Sequence, residues 1–70
     1  MGGEKKMSQL SVIREKAGYT QMQVALFVGV DRSAVAKWET GVCMPRLTNL
    51  FKLAKLYNCT VNDLLKDRSA

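Results

Sequence analysis

The sequence predicts an all-α domain of five short helices, and three observations carry that prediction. Gly18, Gly29, Gly41, Pro45 and Asn58 cut the chain into short segments, and these residue types end or interrupt helices. Within the segments, apolar residues recur at spacings of three and four, the period of a helix with one buried face. No stretch longer than about four residues alternates between apolar and polar, which a half-buried strand would require.

The first segment runs from about residue 7 to 16, started by Met7 or Ser8 and ended by Gly18. Leu10, Ile13 and Ala17 fall on one face. The second covers residues 21–28. Thr20 is its N-cap, because a threonine hydroxyl can accept from a free N–H of the first turn. Val24, Ala25 and Val28 form its inward stripe, and Gly29 follows as the left-handed residue that ends it. The third segment starts at Asp31, whose carboxylate is expected to accept from the N–H of Ala34. Val35 and Trp38 face inward, and Gly41 stops it. The fourth follows Pro45 and spans about 47–57. Leu47, Leu50, Leu53, Ala54 and Tyr57 repeat at helical spacing, and Asn58 ends it. The fifth is capped by Thr60 and runs from Val61 to about Lys66. Residues 1–6 and 67–70 are expected to be tails, leaving 7–66 as one domain.

Seventy residues allow one small core; a domain of this size buries about 60% of its unfolded surface. The net charge of +5 favours an anionic partner. The excess is spread along the chain, +2 in residues 1–18, +1 in 19–46 and +2 in 47–70, so charge alone marks no site. Cys43 and Cys59, with no histidine, make no zinc set and read as reduced thiols. Neither a signal-peptide core nor an apolar run of the roughly 20 residues that a bilayer demands is present. A soluble, cytoplasmic protein is expected, with no membrane association. Gly2 is not read as a myristoylation site, because position 6 is Lys.

The second and third segments together meet the demands of a helix–turn–helix. Ala25 is small where the second helix must be crossed. Gly29 supplies the turn's backbone angle. Val30 plugs the corner, and Val35 and Trp38 pin the third segment to the core. The run TQMQVALFVGVDRSAVAKWETG closely resembles the helix–turn–helix of the lambda-repressor and Cro-like family, also called the xenobiotic response element family. The flanking runs IREKAGYTQ and PRLTNLFKLAKLYNCTVNDLL match as well. The resemblance covers about residues 8–66 and implies a five-helix lambda-repressor-like domain of bacterial and phage regulators, often dimeric.

On that resemblance, residues 32–40 form a recognition helix laid in the DNA major groove. Arg32, Ser33 and Lys37 match the positions that reach base edges. Arg32 has the fork to bond guanine O6 and N7, Lys37 can reach guanine or a phosphate, and Ser33 discriminates weakly. Ala36 offers a methyl. Gln21 matches a phosphate contact at a helix N-terminus, and Thr20, Thr40 and Arg46 are expected to meet the DNA backbone. The loop Val42-Cys43-Met44 departs from the family, which often places polar or basic residues there. Arg14 and Glu39 match a pair that forms a structural salt bridge. Leu56 and Leu65, near the end where family dimers often meet, are the expected dimer surface.

The function this implies is a sequence-specific DNA-binding transcriptional regulator, a repressor by expectation, acting as a homodimer on a palindromic double-stranded operator. A reading of another class is a protein-interaction module such as an antitoxin, which would use exposed apolar residues, Phe27, Phe51 and Leu56 among them. An enzyme is not expected: histidine, a paired-carboxylate pocket and a Gly-rich phosphate loop are all missing from the sequence. Nothing calls for a cofactor, a metal or a small-molecule ligand.

Overall fold

The computed structural model describes residues 9–65. Five helices follow one another, α1 (Gln9–Ala17), α2 (Gln21–Val28), α3 (Arg32–Thr40), α4 (Leu47–Tyr57) and α5 (Val61–Leu64). The described residues include no strand. The fold is the all-α, five-helix lambda-repressor-like domain that the spacing and the resemblance imply. The tails and the start of the first helix at Met7 or Ser8 lie outside the described residues, as does Lys66, the expected end of the fifth helix; α5 itself stops at Leu64.

The helices begin and end for local reasons. Thr20 accepts from the Gln23 N–H at 3.1 Å, while the Gln23 side-chain oxygen accepts from the Thr20 N–H at 2.9 Å. Thr60 and Asp63 form the same reciprocal pair at 3.0 and 3.1 Å. Two otherwise orphaned donors are satisfied at each of these helix starts. Asp31 is the N-cap of α3, but its carboxylate makes no capping bond. Its backbone carbonyl takes the Ala34 N–H instead, at 2.9 Å. The tight turn supplies by main chain what the sequence assigned to the side chain.

Each helix contributes to one core. Leu10 comes from α1, Val24, Ala25 and Val28 from α2, and Val35 and Trp38 from α3. Leu50, Leu53, Ala54 and Tyr57 come from α4, and Leu64 from α5. Each fully buried Leu or Val stabilises the fold by about 1.5–3 kcal/mol relative to exposure. Ile13, Val30, Leu56, Cys59 and Leu65 pack against this core from its edge. Two positions of the predicted stripes differ. Ala17 is exposed, because α1 ends there and the chain turns away at Gly18. Leu47 is 60% exposed, because the first turn of α4 extends past the core that Leu50 and Leu53 fill.

Candidate nucleic-acid interface

The α2–α3 corner is built on Gly29. Its φ of 89° lies in the left-handed region, where a side chain is strained. Gly29 and Val30 both donate to the Ala25 carbonyl, at 2.8 and 3.0 Å, which closes the end of α2. Val30 then sits half-buried against the core and sets the angle at which α3 leaves. Val35 and Trp38, 1% and 5% exposed, fix the inner face of α3. Ser33, Lys37 and Thr40 stand at i, i+4 and i+7, so they share the opposite face, and all three are exposed. Arg32 is exposed at the start of the helix, and Ala36 is half-buried.

Arg14 and Glu39 form the predicted pair. Arg14 Nε donates to Glu39 Oε2 at 2.7 Å and Nη2 to Oε1 at 3.1 Å. Nη1 donates to the Tyr19 carbonyl at 2.7 Å. Both side chains are largely enclosed, at 11% and 6% exposure. Hydrogen bonding to Glu39 raises the Arg14 pKa above its already high ordinary value, outweighing the opposing effect of burial. The fork ties α1 to the last turn of α3.

Sequence reasoning missed what Gln21 does here. Its Nε2 donates to Glu39 Oε1 at 2.9 Å, and its Oε1 accepts from Arg32 Nη1 at 3.3 Å. A continuous polar chain therefore runs from Arg14 through Glu39 and Gln21 to Arg32. It starts at an enclosed ion pair and ends on an exposed guanidinium. No periodicity signals such a link, because Gln21 and Glu39 are 18 residues apart. A second contact that spacing does not signal is made by Lys52. Its Nζ donates to the Val28 carbonyl at 3.2 Å, placing a cation on the C-terminal end of α2, where the helix dipole favours one.

The expected backbone contacts occupy different states. Thr20 is exposed and its hydroxyl accepts from Gln23, which leaves the hydroxyl proton to donate. Thr40 is exposed, but its hydroxyl bonds back to the Ala36 carbonyl at 3.0 Å and to that of Lys37 at 3.3 Å. Arg46 is the N-cap residue of α4, exposed, with no capping bond from its side chain. Leu56 and Leu65 are half-buried and pack on the core of their own chain.

The family model described as a helix-turn-helix, of the Cro/C1 type, matches residues 10–64. The chain belongs to that family. Its members are DNA-binding transcriptional regulators. Over 62 residues the chain is 34% identical to an SPbeta prophage-derived HTH-type transcriptional regulator, YonR, of Bacillus subtilis, covering 89% of this chain and 57% of that protein. It is 33% identical over 57 residues to the HTH-type transcriptional activator BcrR of Enterococcus faecalis, covering 81% of this chain and 28% of the relative. An HTH-type transcriptional regulator of Archaeoglobus fulgidus is 33% identical over 57 residues, 81% of each chain. The chain thus spans between about a quarter and four-fifths of the length of these relatives. No solved structure gives a significant match.

Among the described residues no group of His, Cys, Asp and Glu is arranged to hold a metal. Among these residues, too, no helix is long and apolar enough to cross a membrane. Cys43 is an exposed free thiol and Cys59 a half-buried one. Burial, and to a lesser degree Asp63, pushes the Cys59 thiol up from its ordinary pKa, which keeps it protonated and unreactive at neutral pH.

Proposed function

We propose that this cytoplasmic protein reads a specific DNA sequence by placing α3 in the major groove, as a homodimer on a palindromic operator, and represses by occluding the promoter. The observation that carries the reading is the pairing of an exposed polar face, Ser33, Lys37 and Thr40, with an Arg32 already held by Gln21. Val35 and Trp38 fix the opposite face, so those side chains are offered from a rigid support. Arg32 is the group suited to guanine, and Lys37 to guanine or a phosphate one turn on. Ser33 adds a weak polar contact.

Phosphate contacts would position the helix without reading sequence. Gln21 and Thr20 lie at the N-terminus of α2, where backbone donors and the helix dipole favour an anion. Arg46 adds a charge ahead of α4, and Thr40 would have to give up a bond to its own helix to join them. One nine-residue helix reads few base pairs, so two copies a helical turn apart are the natural reading unit. Leu56 and Leu65, partly open at the α4–α5 end, are the surface a second copy would complete. Occlusion needs nothing beyond an occupied site, which favours repression.

Selection from a pool of random duplexes tests this, followed by sedimentation of the complex and a promoter reporter. An enriched inverted repeat with half-sites about 34–36 Å apart, bound by two chains and lowering expression, is expected. A single half-site bound by one chain contradicts the homodimer, and raised expression contradicts repression.

A further inference from the structure

Among the described residues the outward face of α2 is left largely exposed. The helix reads QMQVALFV and contains no charge. Val24, Ala25 and Val28 face the core, yet the other side carries large apolar side chains as well, beside the capping Gln23. Met22 is 51% exposed, Leu26 75% and Phe27 55%. A surface helix ordinarily turns polar side chains outward and keeps its apolar stripe on the core. On α4, Phe51 is 57% exposed. The Lys52 Nζ bond to the Val28 carbonyl joins the two helices, and Phe27 and Phe51 each stand one residue from that bond. Large exposed apolar side chains on two helices joined in this way are the kind that mark an interaction surface.

The charge around the patch says what covers it. Neither α2 nor α4 contains an acid, and no acid occurs anywhere from residue 40 to 62. The charged residues of α4 are Lys52 and Lys55, both exposed. Lys55 lies four residues beyond Phe51, on the same side of the helix. A second copy laid twofold on this face would set lysine against lysine, an arrangement that costs affinity. A protein segment with apolar anchors and acidic flanks meets both features.

We propose that the Met22–Leu26–Phe27–Phe51 face docks an amphipathic helix with an acidic rim, supplied by another protein. Phe27 and Phe51 are not among the residues placed on DNA, so substitutions there are read by peptide binding with DNA binding as the control. Nothing in the proposal depends on which bases α3 reads.

Two fluorescein-labelled helical peptides test it. Both carry Leu at i, i+3, i+4 and i+7; one has Glu on its flanks and the other has Lys. The Glu peptide is expected to bind with a dissociation constant in the micromolar range, and the Lys peptide at least about tenfold more weakly. Phe27→Gln with Phe51→Gln should weaken the Glu peptide by about tenfold or more, while random-duplex DNA binding stays unchanged. Lys55→Glu, a single exposed change that keeps the apolar face, should weaken the Glu peptide and strengthen the Lys peptide. Equal binding of the two peptides overturns the proposal, as does absence of binding by the Glu peptide. Binding that the substitutions leave untouched overturns it too. A molecular mass that doubles with concentration, and returns to one chain in Phe27→Gln, would assign the face to a second copy instead.

Discussion

Arg14 places two nitrogens on Glu39 and a third on the Tyr19 carbonyl. Its removal would leave an enclosed carboxylate with only the Gln21 amide. Breaking an enclosed ion pair from one side costs more than the pair contributes to stability, because the remaining charge stays desolvated. Arg14→Met is therefore expected to lower unfolding stability by about 3 kcal/mol in urea titrations; a loss below about 1 kcal/mol would show that Glu39 finds other partners. Gln21→Ala acts differently. It frees Arg32 without stranding it, since Arg32 is exposed. Stability should change by about 1 kcal/mol or less, and the change should appear in DNA affinity. The pairing of Arg14 with Glu39 was legible through the family resemblance. The bridging role of Gln21 was not, because a side-chain amide shared between two helices leaves no trace in spacing. The sequence marked Gln21 as a phosphate contact, and the same amide now has a second task in the unbound chain.

At the scale of elements, apolar spacing and stop residues located α2, α3 and α4 well, since Thr20, Gly29, Gly41 and Asn58 all act where they stand. Asp31 and Leu47 show the limit. A capping carboxylate is redundant when the turn's own carbonyl reaches the same donor. A leucine in the right register is exposed when its turn outruns the core. The exposed apolar residues of α2 and α4 were legible only in part: Phe27 and Phe51 stood out, but the exposure of Met22 and Leu26 depends on what the fold leaves uncovered. The turn itself gives a direct prediction. A Cβ built at Gly29 would meet nothing within 4 Å, so only backbone strain opposes it. Gly29→Ala should cost about 1–2 kcal/mol in thermal or urea melts, and Gly29→Asn less, because Asn tolerates the left-handed region. Equal stability of all three would remove Gly29 as the reason the corner is tight.

At the scale of the whole molecule, Tyr57 couples the core to pH. Burial pushes its hydroxyl well above the ordinary value of 10.0, and Glu39 adds to the rise. The unfolded chain releases this proton first, so above pH 10 the unfolded state binds fewer protons than the folded one. The stability that this group contributes is complete below pH 10 and is lost as pH rises toward the folded value. Tyr57→Phe should flatten the fall in stability measured between about pH 9.5 and 11.5; an unchanged slope would assign that fall to other groups. The charge of the whole chain predicts less. Its spread-out excess gives any duplex a salt-sensitive affinity, so binding alone cannot distinguish reading from attraction. The most direct test of base reading by α3 compares wild type with Arg32→Ala on the duplex that wild type enriches, at two salt concentrations. A loss of about 1–3 kcal/mol, with preference relaxed at one base position and the salt slope little changed, is the result expected of a base contact. A loss that is uniform across sequences and lowers the salt slope by about one would instead make Arg32 a phosphate contact, and would contradict the assignment of base reading to that residue.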